Sequence, residues 1–322
     1  MDTESAENEK RGPPQDLGRK VFFVYPPSVV REELITRLID NEYETYMIKD
    51  IKRAEILLEK YPNSICFVNI DTGMTEPDWE LWIRKIMREP KFSGVGIGIV
   101  SYNNNDRLQK KYLMDIGIQC GYIKLKLGRD ESIKILLATL KANEAKGRRK
   151  YVRADCSTDT LTSFNFTHGR LTVTGKILDI SVIGFSCILN PDPLVKKNTL
   201  LEDVQLKLRA SLLRTNLIVF GMRPMGDRTL YIILFPPTLE NHQKNKIRAY
   251  IQSALQISIE QDCNEALKNM PKEISKKEDK LPEVTENDLL QEAETLESVQ
   301  EVDVPPELLE AEKDSDSSSL PY

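Results

Sequence analysis

Between residues 20 and 146, short apolar runs alternate with stretches whose apolar positions recur every three or four residues, the pattern of strands alternating with amphipathic helices. KVFFVY (20–25) predicts a first strand. After PPS, Ser28 is placed to cap a helix through VVREELITRLIDN, in which Val30, Leu34 and Leu38 share a face. TYMIKD, ICFVNI, GVGIGIV and YIKLKL predict four more strands, with IKRAEILLEKY, EPDWELWIRKIM, DRLQKKYLMDIGIQ and DESIKILLATLKANEAK as helices after each in turn. Five strand and helix units in about 125 residues predict a doubly wound parallel sheet. The glycines of GVGIGIV lie inside the apolar run, not between a strand and a helix. They read as close packing of a helix on the sheet, not as a dinucleotide-binding loop.

From about residue 154 the period changes to two. ADCS, TSFNFTH, RLTVTGKILDIS, GFSCIL, VQLKLRAS, NLIVFGMRP and TLYIILF are short strand candidates separated by turn signals such as THGR and MGDR. This predicts a small antiparallel barrel. NKIRAYIQSALQISIEQ carries Ile247, Tyr250, Ile251, Ala254 and Leu255 on one face and predicts a helix covering that barrel. The expected organisation is a disordered segment over 1–18, an α/β domain over 19–145, an all-β domain over 146–262 and an acidic disordered tail over 263–322.

Charge changes this picture in one respect. The net charge of −5 conceals an asymmetry, because residues 281–322 hold thirteen Asp and Glu against one Lys. The rest of the chain is therefore mildly basic, suited to a phosphorylated ligand. The longest apolar runs are far shorter than the ~20 residues of a membrane helix, so a cytoplasmic protein without membrane insertion is expected. Five scattered cysteines (66, 120, 156, 187, 263) and two distant histidines (168, 242) argue against a disulfide framework, a zinc site or a nucleophilic triad. No catalytic arrangement and no cofactor is expected.

The candidate chemistry begins in RRKYVR (148–153). Arg149 and Arg153, four apart, share a side whether the segment is helical or extended. Two convergent guanidinium forks match phosphate oxygens, present donors to O6 and N7 of guanine, and stack on a base. Further on, LDISVIGFS contains Asp179, Ser181 and Gly184 as DxSxxG. The carboxylate can accept from the N1 and N2 donors of guanine with the hydroxyl beside it, while Gly184 permits a tight turn or a positive φ. A solvated hinge needs no partner motif. A site for a nucleic-acid polymer would carry more interleaved aromatics than Tyr151 alone, so no such polymer is expected as a partner.

RxxxR ahead of a predicted barrel, with DxSxxG on its strands, resembles the PilZ domain family of bacterial cyclic di-GMP receptors over about residues 147–260. The resemblance implies that Arg149 and Arg153 clasp phosphate and guanine, that Asp179, Ser181 and Gly184 form the second motif, and that Arg148, just before the first arginine, goes with two stacked ligands. The N-terminal (βα)5 order resembles the response-regulator receiver domain. That resemblance puts Asp71 at the phosphoacceptor position, Ser101 at the hydroxyl position, and Lys124 or Lys126 near the strand-five lysine. It departs where the family has an acidic pair for Mg²⁺, because Tyr25, Pro26 and Pro27 stand there, which disfavours phosphorylation of Asp71. The expectation is thus a cytoplasmic signalling receptor for cyclic di-GMP, not an enzyme, with a degenerate receiver-like half that contacts a downstream protein. The alternative is a ligand-independent adaptor in which both halves are contact surfaces.

Overall fold

The computed structural model describes residues 18–269. The disorder expected of 1–17 and of the acidic stretch from 270 onward falls outside the described residues. Strands β1 (Lys20–Val24), β2 (Thr45–Ile48), β3 (Ser64–Asn69), β4 (Gly96–Ser101) and β5 (Tyr122–Lys124) form a parallel sheet in the order β2-β1-β3-β4-β5. Every residue of β3 and β4 is buried, which accounts for their unbroken apolar runs. Helices α1 (Ile35–Asp40), α2 (Ile51–Lys60), α3 (Glu76–Arg88), α4 (Asp106–Lys110) and α5 (Arg129–Ala142) connect the strands and cover both faces. One face packs Trp79, Trp82 and Ile83, and the other packs Leu34, Leu38 and Leu140.

Several local expectations are corrected. The amides of Val30 and Arg31 bond the Pro27 carbonyl, both at 3.0 Å, in place of a Ser28 hydroxyl, and Val30–Leu34 is a π-helical stretch leading into α1. The fifth strand is three residues long, since Leu125–Leu127 turns into a 3-10 helix. Gly98 packs under the Phe67 ring and the Cys120 carbonyl, not under a helix: a Cβ there would stand 2.5 Å and 2.8 Å from them.

The end of α1 matters for the site. Tyr43 N bonds Leu38 O and Glu42 N bonds Ile39 O, both at 2.9 Å, which is the Schellman pattern of helix termination. The residue that must turn left-handed in this motif is usually glycine, but here it is Glu42, at φ +59°. An L side chain in that conformation costs roughly 1–2 kcal/mol.

The second sheet contains β6 (Arg153–Asp155), β7 (Thr162–His168), β8 (Leu171–Ser181), β9 (Gly184–Asn190), β10 (Leu200–Leu208), β11 (Ser211–Met225) and β12 (Arg228–Leu234). The order β8-β7-β10-β11-β12-β9 closes on itself because β9 pairs back onto β8, giving a six-stranded antiparallel barrel. β6 takes over the edge of β8 that β7 leaves beyond Gly175. Phe164, Phe166, Val173, Ile177, Ile180, Phe185 and Val219 fill the interior.

Helix α6 (Asn241–Asn269) starts earlier and ends later than the apolar stripe predicted, so 263–269, read as tail, are helical. Ile247, Tyr250, Ile251 and Ala254 pack into the barrel core, whereas Ile259 and Cys263 pack into the parallel-sheet core beside Trp79 and Tyr46. At about 100° per residue, Ile259 and Cys263 sit about 120–160° around the helix from Ile247. α6 therefore turns one side to the barrel and nearly the opposite side to the sheet. The Gln256 side chain completes this junction: it accepts from Met47 N and donates to Met47 O, both at 2.9 Å, bonding the edge strand β2 as a neighbouring strand would.

Candidate ligand-binding site

In β8 the buried positions are first odd-numbered, at Val173, Gly175 and Ile177. Continued, that phase would drive Asp179 into the core. Instead Ile177 pairs Cys187 and Asp179 pairs Ser186, so Leu178 is an extra residue. Such a bulge shifts the pleat by one. Ile180 becomes the inward residue, and Asp179 emerges with its side chain 37% exposed. The Leu178 carbonyl is not wasted, since it accepts the Cys156 amide at 2.7 Å.

The hairpin after Ser181 then brings the motif together. Ser181 pairs Gly184, Ile180 pairs Phe185 and Asp179 pairs Ser186. The Ser181 hydroxyl donates to the Gly184 carbonyl at 3.0 Å, and the Ser186 hydroxyl donates to the Asp179 carboxylate. Gly184 is needed for space and not for a positive φ: a Cβ would lie 2.2 Å from the Ile233 carbonyl and 3.0 Å from Leu234 Cα.

β6 delivers an arginine to this hairpin. Arg153 lies opposite Ser181, and its Nη1 is 3.6 Å from Asp179 Oδ1. Both side chains of that pair are substantially exposed, so its Coulomb attraction is well screened. Arg149 and Arg153 line one cleft together with Tyr151 and Glu42, while Arg148 lines an adjoining one with Arg19 and Lys146. Of the six residues read as a ligand site, Arg153, Asp179, Ser181 and Gly184 thus meet at one end of the barrel, and Arg149 shares Arg153's cleft. Arg148, Arg149 and Arg153 are exposed.

Two residues were missed in the sequence. Ser186 was legible: a two-residue turn between Ser181 and Gly184 puts Asp179 opposite residue 186 by counting. Glu42 carried no signal, because it lies 110 positions from the amide it holds: Val152 N donates to Glu42 Oε2 at 2.9 Å. Arg248 of α6 stands 3.8 Å from the same carboxylate and 3.5 Å from Asp40. Burial pushes the Glu42 carboxyl above the usual carboxylate range, with the Val152 amide, Arg248 and Lys146 pulling the other way.

At the mouth of the parallel sheet, Asp71 is exposed but its carboxylate is engaged. Oδ1 accepts the Ser101 hydroxyl at 2.5 Å and Oδ2 accepts the Tyr102 amide at 2.7 Å. Lys124 pairs with Asp106 at 2.7 Å. Tyr25, at φ +50°, sets its ring edge-on to Trp79 and directly against Gly73, where a Cβ would be 2.6 Å from the ring. Among the described residues no group of three His, Cys, Asp or Glu side chains is arranged to hold a metal ion. His168 ends β7 and is exposed. Cys156 and Cys187 are buried barrel residues, and burial pushes the Cys156 thiol up to about 11. No described helix is long and apolar enough to cross a membrane.

No family model and no curated protein matches the chain. The chain is similar to several solved structures. The PilZ domain of YcgR from Escherichia coli, with c-di-GMP, is 11% identical, covers 38% of this chain and 99% of its own, and has a TM-score of 0.31. The MrkH–c-di-GMP complex of K. pneumonia is 16% identical over 38% of this chain and 57% of its own, with a TM-score of 0.30. The inhibitor of motility MotI/DgrA from Bacillus subtilis is 15% identical over 32% and 49%, with a TM-score of 0.27. The chain spans about half the length of the latter two.

Proposed function

We propose that the protein is a receptor for cyclic di-GMP, held at the β6–β8–β9 end of the barrel. The observation that carries this reading is the convergence of Arg153 with Asp179 and Ser181 across the β6–β8 pairing, with Arg149 lining a cleft that Arg153 also lines. The guanidinium groups of Arg149 and Arg153 bind phosphate and a guanine edge. The Asp179 carboxylate, oriented by the Ser186 hydroxyl, accepts from guanine N1 and N2. The Ser181 hydroxyl, buried and with its proton committed to Gly184 O, braces the hairpin that presents Asp179. Little is lost when Arg153 leaves Asp179 for a phosphate, since that pair is long and exposed. Arg148 adds the charge that a second, stacked ligand requires, because bringing more phosphates together raises their repulsion.

The site is read as one that binds and does not transform, since what it offers is charge and hydrogen bonds. The N-terminal half is then a degenerate receiver that meets a downstream protein, a reading supported by the engagement of both Asp71 oxygens and by Tyr25 in the space beside Gly73. The protein is read as cytoplasmic.

Substitution tests the residue roles. Arg149→Ala and Asp179→Ala are each expected to weaken cyclic di-GMP binding at least tenfold by titration calorimetry, about 1.4 kcal/mol or more. Thermal midpoints are expected to stay within a few degrees, since both side chains are at least partly exposed. Wild-type affinity in both variants contradicts the assignment.

A further inference from the structure

We infer that Glu42, in the parallel-sheet half, is a positioning residue for the ligand-binding arginines of the barrel, acting as the hydrogen-bond acceptor that holds the backbone of their segment at Val152. The inference rests on the proposed cyclic di-GMP reading for its affinity consequences, and on the fold alone for the hold itself.

Three independent features lead to it. First, Glu42 occupies the left-handed position of the Schellman turn after α1, where glycine would end the helix without strain. The turn gains nothing from a glutamate there. A long acidic side chain at a position that disfavours any side chain points to a use elsewhere. Second, that use is visible: the carboxylate reaches across to the irregular segment between α5 and β6 and accepts the Val152 amide at 2.9 Å. The residues flanking Val152 are Tyr151 and Arg153, and both line the cleft that contains Glu42 and Arg149. Third, the carboxylate is not a free surface charge. Its side chain is 15% exposed and stands 3.8 Å from Arg248, itself on the face of α6 that also meets Asp40.

The consequence follows from where the hold falls. Arg149 and Arg153 must converge on one ligand; Arg153 is held by its β6 pairing with Ser181, but Arg149 lies in the irregular segment before it, among four positive charges in six residues whose mutual repulsion favours a spread-out ensemble. Fixing Val152 extends the ordered backbone of β6 to within three residues of Arg149. The arginines thereby meet the ligand partly ordered, which lowers the entropy lost on binding. Because Glu42 belongs to the turn between α1 and β2, the segment that grips the ligand is tied to the parallel sheet by a side chain as well as by the peptide chain. The acceptor role needs an oxygen, not a charge.

The test uses the full chain, with Glu42→Gly and Glu42→Gln. Glycine relieves the left-handed strain but removes the acceptor, so its thermal midpoint is expected to equal or exceed that of the wild type while cyclic di-GMP affinity falls about tenfold. Glutamine keeps an acceptor oxygen and is expected to retain affinity within about threefold. A merely structural role would move stability and affinity together, and mere charge repulsion by Glu42 would make both variants bind more tightly. Glycine-variant affinity at or above the wild type, or glutamine as weak as glycine, overturns the inference. Hydrogen exchange of the Val152 amide without ligand gives the separate reading: protection is expected in the wild type and glutamine variant and about tenfold faster exchange in the glycine variant. Unchanged exchange overturns the hold. If the wild-type protein binds no cyclic di-GMP, the receptor reading falls, and the exchange measurement still decides whether Glu42 holds the segment.

Discussion

At the scale of single residues, the site depends on features that sequence reading sees unevenly. Arg149, Arg153, Asp179 and Ser181 become conspicuous only as a pair of motifs, since RRKYVR alone fits a solvated hinge and DISVIG alone an ordinary turn. Gly184 is equally conspicuous, but its reason is visible only in three dimensions. The hairpin residue could have been glycine for its dihedral; it is glycine because the β12 backbone passes 2.2 Å from where a Cβ would be, at the Ile233 carbonyl. Backbone cannot yield as a flexible side chain does. Gly184→Ala is therefore expected to destabilise the barrel by about 1–3 kcal/mol, the usual cost of overpacking, and to displace the hairpin that carries Asp179. Urea unfolding checks it, and an alanine variant as stable as the wild type would contradict the close approach. Glu42 lies at the other extreme. Its sequence neighbourhood, IDNEYE, reads as an ordinary polar turn. Nothing local reveals that Val152 is its partner, since a contact over 110 positions exists only once two cores have packed.

At the scale of elements, periodicity carried the reading a long way and failed where two periods or two partners overlap. The strands and helices of the parallel sheet follow from runs and stripes, but the short β5 did not, because YIKLKL continues to alternate after the backbone has turned into Leu125–Leu127. The Leu178 bulge breaks the alternation of β8 at the point where Asp179 must face outward, and no residue type marks it. In α6 the first apolar stripe predicted a barrel-covering helix. The second is displaced around the helix: Ile259 lies in the predicted helix but off its stripe, and Cys263 falls in the expected tail, although both residues are buried. Helix α6 is pinned at two places by the same chemistry, a tyrosine–carboxylate bond with a cation beside it. Near its start, Tyr250 donates to Asp159 at 3.0 Å, where Arg209 also pairs at 2.8 Å. Burial alone would raise the Asp159 carboxyl, but the bonds from the Leu161 amide, Thr162, Tyr250 and Arg209 prevail and hold it below the usual carboxylate range. Near its end, Asp262 takes Tyr61 at 3.0 Å and Lys60 at 2.8 Å. Between them, Gln256 bonds both backbone groups of Met47. Gln256→Ala is expected to cost about 1–2 kcal/mol and to speed exchange of the Met47 amide. An unchanged Met47 exchange rate would show that α6 does not hold the β2 edge.

At the scale of the whole molecule, the barrel and the parallel sheet share α6 and meet again where Glu42 takes the Val152 amide. The proposed ligand site lies on the barrel side of that second meeting point. A ligand that draws Arg149 and Arg153 together therefore acts on backbone tied to the turn after α1, and through it on the sheet that is proposed to contact a downstream protein. The fold class was legible because two different periods, three to four and then two, divide the chain near residue 150. How the halves join was not, because the joint is built from side chains of unremarkable type at scattered positions. The central claim is ligand binding, and titration calorimetry of the intact chain with cyclic di-GMP tests it most directly. The account predicts a saturable isotherm with a dissociation constant on the order of micromolar or tighter and a stoichiometry of two ligands per chain. Absence of saturable heat up to a cyclic di-GMP concentration of about 100 μM, with the protein folded, would contradict it.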